Sequence, residues 1–306
     1  MPNKKKYQPQ VSPNHFFSPH QILGWLTTPG QYYFSTQEGK PIFNCRILSN
    51  GDRATTINPV KANKNIHLYG CSYTFGQSVA DTQTMAYYLQ QALPHYTIKN
   101  KAVPAYSLLQ MCLRLQQSVA QGDTPHIAII NFGIFNTIRS PRHYGWSNNL
   151  QQAFTKANPQ NKMSFTRYPY QQGTLVAYYP FTQLQQDWTG RSHSVIINLL
   201  NSLYETQHDN AMASTIYSNN IITLKQIKQY CRQHNIQLVL GTFDTAARQL
   251  SLQARQPNAL LIEYHVNTAN PKYNCSPLDP IHPGALAHRL YGQAIKMKID
   301  SLQLHY

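Results

Sequence analysis

The chain has 306 residues and a mass of 35.0 kDa, and 42% of its residues are hydrophobic, which excludes a disordered protein. It has no run of eighteen apolar residues, so we expect no membrane-spanning helix. The formal net charge of +15 leaves an anionic partner open. Apart from residues 4–6 the basic residues are dispersed, which is a weak footprint for nucleic acid, so no nucleic-acid partner is expected.

The five cysteines are scattered, their number is odd, and they form no C-x-x-C pair. This arrangement predicts neither a disulfide framework nor a structural zinc site. The opening stretch "MPNKKKYQPQVSPNHFF" carries lysines without a following apolar run, unlike a secretory signal. We therefore expect a reducing, cytoplasmic compartment.

In chain order, the sequence predicts an irregular or β-containing extension over residues 1–60 and one α/β/α domain over residues 61–306. In this second part apolar runs alternate with helical patterns, which is typical of a parallel sheet with helices on both faces. Asp81 or Thr82 is the predicted N-cap of the first helix, and Gly122 closes the second. The predicted strands are 65–70, 96–100, 126–133, 236–243 and 259–265. The predicted helices are 81–93, 106–122, 219–234, 245–254 and 284–302.

A long insertion at about 137–218 interrupts this alternation and is rich in Gln, Asn, Tyr and Pro. Segments of this length inside a compact domain are usually functional or have their own structure. Its aromatic side chains either cover a sugar or acyl group or form a small core of their own. These residues are Tyr144, Trp146, Tyr168, Tyr170, Tyr178, Tyr179 and Trp188.

Polar residues follow the carboxyl ends of the predicted strands, where open parallel sheets bind ligands. A hydroxyl, amides, carboxylates and an imidazole therefore converge on one edge. This is the set of groups that acyl transfer needs: a nucleophile, a base, an orienting acid and oxyanion donors. In chain order the residues are Ser72, Asn100, Ala105, Asn136, Arg139, Asp244, Asp279 and His282.

The chemistry suggests a role for each group. Ser72 is the candidate nucleophile, and His282 is the base that takes its proton. Asp279, three residues earlier, holds the imidazole in the required tautomer. The backbone N–H groups of Ser72 and Ala105 and the side-chain amide of Asn136 are the expected oxyanion donors.

Other interpretations remain open at this edge. Asp123 and His126 form a second D-x-x-H pair, but His126 begins the third strand, at the opposite edge. Arg139 either binds an anionic group of the substrate or forms a structural salt bridge. Asp244 is either a reserve acid near the substrate or a loop cap. We expect Cys71 to be a small buried residue, because its thiol would point away from Ser72.

Four ordered blocks resemble the SGNH hydrolase superfamily, the GDSL-type esterases and lipases. They read "GCSYTFGQSVAD", "NKAVPAYSLLQ", "FGIFNTIR" and "DPIHPGALAH", and the resemblance spans 66–139 and 236–295. It implies a flavodoxin-like three-layer α/β/α sandwich and a Ser–His–Asp mechanism that needs no cofactor. It also implies ester substrates, among them acetylated sugars, lipids and acyl thioesters.

The blocks depart from that family at four positions. Cys71 stands where many members have Asp, Ala102 and Ala105 stand where glycines are usual, and Thr137 follows Asn136 where Asp is usual. The N–H of Ala105 can serve the oxyanion hole only if the backbone does not need a positive φ there.

These observations favour a serine esterase that acts on a small or carbohydrate-linked ester through an acyl-enzyme. Acyl transfer to another acceptor would use the same residues. A catalytically degraded binding protein of the same fold is the second hypothesis. A polyanion-binding protein, suggested by the charge of +15, ranks last because the sequence has no RNA- or DNA-binding motif.

Overall fold

The computed structural model describes residues 9–55, 62–139, 164–167, 177–180, 188–191, 193–211 and 213–303. The described strands are β1 (Gln10–Ser12), β2 (Phe17–His20), β3 (Gly24–Thr27), β4 (Gly30–Ser35), β5 (Pro41–Ile47), β6 (Lys64–Tyr69), β7 (Tyr96–Asn100), β8 (Ile127–Phe132), β9 (Ser164–Arg167), β10 (Ala177–Pro180), β11 (Gln237–Thr242), β12 (Leu261–Glu263), β13 (Asn274–Cys275) and β14 (Asp279–Pro283). The described α-helices are α1 (Ser72–Phe75), α2 (Met85–Ala92), α3 (Leu108–Ala120), α4 (Ile134–Thr137), α5 (Val195–Ala211), α6 (Ala213–Gln233), α7 (Thr245–Gln253) and α8 (Ala285–Gln303).

The central sheet consists of five parallel strands in the order β7-β6-β8-β11-β12. Numbered along the chain, this order is 2-1-3-4-5, the flavodoxin-like arrangement, whose strand order reverses between the first and third strands. The predicted fold class is confirmed. The turns after β6 and β8 flank the switch point, where this class of sheet binds its ligands.

Helices cover both faces of this sheet, which explains why its strands are continuous apolar runs. Every residue of β8 is buried. On one face α3, α6 and α7 contribute Leu115, Leu224 and Leu250 to a core with strand residues. On the other face α2 and α8 contribute Leu89 and Tyr291 to a second core. Burial on both faces removes the alternation that a half-exposed strand would show.

The described part of the N-terminal segment is largely β-structure. Strands β1, β4 and β5 form an antiparallel sheet, and β2 and β3 form an antiparallel pair. In β5 the alternate residues Phe43, Cys45 and Ile47 are buried, as the two-residue period of a strand requires. These residues share a buried cluster with Phe75 of α1, so the segment packs directly beneath the turn that carries Ser72.

Two expectations were wrong in detail. The N-cap of α2 is Thr84, whose side chain accepts from the N–H of Tyr87, because residues 81–83 form a separate 3-10 turn. The helix expected at 219–234 begins earlier, at Ala213, so the segment at about 137–218 contains α5 and the start of α6. Here α6 is part of the sandwich, since its Asn220 donates to the carbonyl of Thr137 at 3.1 Å.

Most of the aromatic residues expected to form a cover or a core lie outside the described residues. Trp188 is described: it is 40% exposed, and its ring lies 5.8 Å from that of Tyr204. Of the described helices, none is both long enough and apolar enough to cross a membrane.

Candidate active site

Ser72 lies in a tight turn between β6 and the short helix α1. Its side chain is nearly buried, with 6% exposure. The turn is closed by the N–H groups of Gly76 and Gln77, both of which donate to the Ser72 carbonyl at 3.0 Å. Gly70 permits this turn, because a Cβ there would lie 2.1 Å from Oγ1 of Thr74. The N–H of Ser72 belongs to the first helical turn, where helix geometry supplies no acceptor, so it can serve a bound group.

Asp279 and His282 form a hydrogen-bonded pair on β14. Nδ1 of His282 lies 2.6 Å from Oδ2 of Asp279, and Asp279 is completely buried. Its Oδ1 accepts from the backbone N–H groups of Ile281 and His282 at 3.1 and 3.2 Å. Burial alone would raise the pKa of Asp279, but the hydrogen bonds from His282, Ser78 and the backbone hold the pKa below its ordinary value. The acid is therefore ionised and oriented toward the imidazole.

Tyr73 connects the Ser72 turn to this pair. Its hydroxyl donates to the carbonyl of Ile281 at 2.9 Å, and its ring centroid lies 5.9 Å from that of His282. The same ring packs against Phe135 at 5.2 Å and Phe243 at 5.3 Å. The residue that follows Ser72 thus contacts the imidazole, and two further aromatic rings pack against that residue.

Ala105 occupies the third position of a turn that runs from Val103 to Tyr106. The N–H of Tyr106 donates to the carbonyl of Val103 at 3.3 Å, and the N–H of Val103 donates to the carbonyl of Gly70 at 3.1 Å. Pro104 at the second position and a positive φ at the third are features of a type II turn. The φ of Ala105 is 71°, so the backbone does need the positive φ that the expected donor role was to avoid. The alanine adopts this conformation at a cost in stability and still carries a backbone N–H.

Asn136 joins the turns that carry Ser72 and Ala105. It is completely buried, and its Oδ1 accepts from the N–H of Gly133 at 2.9 Å. Its Nδ2 donates to the carbonyl of Tyr106 at 3.0 Å, and the thiol of Cys71 lies 3.8 Å from Oδ1. An amide nitrogen has two N–H groups, so it can make one such bond and still donate to an oxyanion. Cys71 itself has no exposed surface, as expected.

Arg139 and Asp244 both make contacts within the protein. Nη1 of Arg139 donates to the Tyr106 carbonyl at 3.3 Å, its guanidinium lies 5.1 Å from the centre of the Phe135 ring, and burial lowers its pKa. The two carboxylate oxygens of Asp244 accept from the N–H groups of Ala247 and Ile134, both at 2.8 Å. Asp244 thus caps α7, one of the two roles left open for it, and its part near the substrate stays a prediction.

The second D-x-x-H pair is engaged elsewhere. Asp123 binds the ammonium groups of Lys99 at 2.5 Å and Lys101 at 2.8 Å. Nδ1 of His126 lies 2.9 Å from Oδ1 of Asn65, at the amino edge of the sheet. These contacts agree with the preference for Asp279 and His282. Within the described residues, no cluster of three or more His, Cys, Asp or Glu could hold a metal ion.

Sequence reasoning missed Arg53, a completely buried residue beneath the Ser72 turn. Its Nη1 donates to the carbonyls of Phe75 at 2.9 Å and Gly76 at 2.5 Å, and its Nη2 donates to that of Val79 at 2.7 Å. Its Nε lies 2.9 Å from Oδ1 of Asp81. One guanidinium thus binds the carbonyls that follow Ser72, which the five planar donors of arginine allow. No local pattern in the sequence marks Arg53, because its partners lie 22 to 28 residues further along the chain.

Trp25, on β3, was missed as well, and it supports the turn that carries Ala105. Its Nε1 donates to the carbonyl of Pro104 at 3.2 Å, and the hydroxyl of Tyr106 donates to the carbonyl of Trp25 at 2.6 Å. Both side chains are buried. No local pattern in the sequence predicts this pairing, because the two partners are about eighty residues apart.

The chain was also compared with known proteins. No protein-family model and no curated protein matches it. Among solved structures it is similar to a lipolytic protein of the G-D-S-L family from Desulfitobacterium hafniense DCB-2, with 13% identity, a TM-score of 0.42, and coverage of 77% of this chain and 99% of that one. The psychrotrophic esterase EstA from Pseudoalteromonas sp. is similar too, with 10% identity, a TM-score of 0.43, and coverage of 79% of this chain and 99% of that one. It is also similar to an acetyl xylan esterase from Geobacillus stearothermophilus, with 11% identity, a TM-score of 0.39, and coverage of 78% of this chain and 96% of that one. Likenesses this weak do not establish an activity, so the function rests on the residues of the site.

Proposed function

We propose that this chain is a serine esterase of the SGNH hydrolase type. The observation that carries the proposal is the 2.6 Å hydrogen bond between Asp279 and His282, next to the turn that presents Ser72. Tyr73 supports it by contacting His282 from the position that follows Ser72. A buried ionised acid, an imidazole and a serine at the switch point of the sheet are the groups required for nucleophilic acyl transfer.

The roles follow from the hydrogen bonds. Asp279 accepts the Nδ1 proton of His282, which leaves Nε2 as the acceptor in the neutral imidazole. Nε2 takes the hydroxyl proton as Ser72 attacks the ester carbonyl carbon. The tetrahedral intermediate then collapses, the carbon–oxygen bond to the alcohol breaks, and His282 gives its proton to the leaving oxygen. Water attacks the acyl-enzyme in the same way, releases the carboxylic acid and restores Ser72.

The oxyanion is held by the backbone N–H groups of Ser72 and Ala105 and by the side-chain amide of Asn136. Asn136 is fixed through the Tyr106 carbonyl, next to Ala105. Donors held in place before the reaction stabilise charge without reorganisation, and each such donor contributes about 3–4 kcal/mol to catalysis in well-studied enzymes.

The substrate is a small acyl ester, with an acetylated carbohydrate as the leading class. Tyr73 lies beside His282, and Phe135 and Phe243 pack against Tyr73 to form an aromatic wall suited to a short acyl group or to the face of a sugar. The half-buried guanidinium of Arg139 lies against Phe135 of this wall, and we propose that it binds a polar or anionic group of the substrate in addition to the Tyr106 carbonyl.

Hydrolysis of a panel of acetyl, longer acyl and thioester substrates tests the proposal. We expect Ser72→Ala and His282→Gln to lower kcat by at least about 1,000-fold, and Asp279→Asn by roughly 10³- to 10⁴-fold, because the triad acts as a unit. His126→Gln, at the other edge of the sheet, is the matched control and should keep wild-type turnover. Turnover that survives in Ser72→Ala would contradict the proposal. A folded wild type that hydrolyses no member of the panel would favour a binding protein.

A further inference from the structure

Ser78 contacts the same carboxylate oxygen as the candidate base. Its hydroxyl donates to Oδ2 of Asp279, the oxygen that also accepts from Nδ1 of His282. Ser78 is buried, with 7% exposure. The backbone N–H groups on Oδ1 and these two side-chain donors on Oδ2 therefore give the carboxylate a partner on each oxygen.

The backbone of Ser78 is strained. Its φ is 71°, in the left-handed region that glycine adopts readily and other residues seldom adopt. Four described non-glycine residues have a positive φ, and two of them, Ser78 and Ala105, border the candidate site. Strain that the surrounding structure maintains at such a place is a reason to look for a role of the side chain.

The surrounding contacts hold Ser78 in this conformation. The guanidinium of Arg53 binds the carbonyls of Gly76 and Val79, on either side of Ser78. The thiol of Cys275 donates to the Ser78 carbonyl at 3.4 Å, and Cys275 pairs with Asp279 across β13 and β14. The backbone around Ser78 is thus held by Arg53 and Cys275, while its hydroxyl contacts Asp279.

We propose that Ser78 is a positioning residue of the catalytic apparatus, an inference that rests on the proposed esterase function. Its hydroxyl fixes the rotation of the Asp279 carboxylate so that Oδ2 faces Nδ1 of His282. Ser78 also lies six residues after Ser72, in a segment whose carbonyls Arg53 binds, so it sets the distance between the nucleophile turn and the Asp279–His282 pair. It does not touch the reacting atoms.

The test compares Ser78→Ala, Ser78→Gly and Ser78→Cys with the wild type. Alanine removes the hydroxyl and keeps the strain, glycine removes both, and cysteine keeps a weak donor. Ser251→Ala is the matched control, because Ser251 is also buried and its hydroxyl donates to the carbonyl of Ala247 at 2.9 Å, away from the site. Two readouts are taken: kcat and KM on the best ester, and the low-field proton resonance of the His282 Nδ1–H, assigned by its loss in His282→Gln.

We expect kcat to fall about 10- to 100-fold in both the alanine and the glycine variants, which corresponds to loss of a hydrogen bond to a charged group, with KM changed less than about threefold. Cysteine should recover part of the loss. The resonance should weaken or broaden in the alanine and glycine variants and stay unchanged in Ser251→Ala. The glycine variant should melt at a higher temperature than the alanine variant.

A glycine variant with wild-type kcat and an unchanged resonance would overturn the inference, because Ser78 would then be a turn residue only. The resonance does not depend on turnover. If the wild type is inactive, the proposed esterase function fails, while the resonance still decides whether Ser78 positions the Asp279–His282 pair.

Discussion

Single residues in unfavourable conformations lie next to the groups that are proposed to react. Ala105 has a φ of 71°, in the left-handed region that favours glycine. A left-handed conformation costs an alanine about 1–2 kcal/mol. A glycine avoids this cost but loses more backbone entropy on folding, which offsets roughly 0.5–1 kcal/mol of the difference. The alanine thus provides the N–H at a net cost that the rest of the fold offsets.

Ala105→Gly should therefore raise the free energy of unfolding by up to about 1 kcal/mol and leave the reactivity of Ser72 within about threefold of wild type. Ala105→Val should be destabilising by at least about 1 kcal/mol, since a β-branched residue tolerates positive φ poorly. Urea denaturation monitored by circular dichroism measures both. A glycine variant less stable than the wild type would show that the strain at Ala105 has been overestimated.

The sequence predicts residues of the site where motif and strand polarity agree. Ser72, Asn136 and the Asp279–His282 pair could be proposed because each follows a strand at the same edge of a parallel sheet. Ser78 could not be proposed, since its partner Asp279 lies about two hundred residues away and no periodic pattern connects them. For Asp244 the local pattern predicts two roles, because a carboxylate that follows a strand can act near the substrate or cap the next helix.

At the scale of elements, the N-terminal segment holds the two turns of the site. Arg53 fixes the carbonyls after Ser72, and Trp25 on β3 fixes the turn that carries Ala105. Leu23 and Trp25 belong to the same buried cluster as residues of the central sheet. The sequence could indicate β-structure in this segment but not its attachment, because these contacts join positions that are distant along the chain.

Trp25→Phe tests this support. It keeps most of the buried ring and removes the Nε1 donor to the Pro104 carbonyl. We expect a loss of about 1–2 kcal/mol in the free energy of unfolding, because the carbonyl is left without this donor, and a several-fold slower reaction of Ser72. Trp188→Phe is the control, since Trp188 is 40% exposed. Equal effects of the two substitutions on the Ser72 reaction would contradict a role for the N-terminal strands.

The remaining elements were predictable where they follow the strand–helix alternation. All five strands of the central sheet lie within three residues of their expected bounds, because buried parallel strands are apolar runs bounded by turns. The N-cap at Thr84 was missed because Asp81, one of the two expected caps, is engaged by Arg53, and both Asp81 and Thr82 belong to a separate 3-10 turn. The start of α6 was missed because polar residues dominate its first turns, so the helical period is weak.

At the scale of the whole molecule, two buried histidines make stability depend on pH. His67 and His288 have no exposed surface, and burial lowers the pKa of each from 6.5 to about 3. Nearby cations act in the same direction: Lys101, Lys99 and Arg114 near His67, and Arg53 near His288. Between pH 6.5 and 3 the unfolded chain binds protons that the folded chain excludes. The free energy of unfolding therefore falls as the pH drops below 6.5, by up to about 1.4 kcal/mol per pH unit for each histidine.

His288→Gln should flatten this dependence. Nδ1 of His288 accepts from the N–H of Met85 at 3.2 Å, and a glutamine oxygen can take over this acceptor role without titrating. Urea midpoints between about pH 7 and pH 4 should fall less steeply for this variant than for the wild type. His126→Gln, at an exposed position, should leave the slope unchanged. Equal slopes in all three proteins would contradict a buried neutral His288.

The measurement that tests the central claim most directly is covalent labelling with a fluorophosphonate, detected by intact mass. It is applied to the wild type, to Ser72→Ala and to Cys71→Ala, the matched control at the neighbouring buried position. We predict a single adduct on the wild type and on Cys71→Ala and none on Ser72→Ala, because only a serine activated by the His282–Asp279 pair reacts. A folded wild type without an adduct, or an adduct that persists in Ser72→Ala, would contradict the account.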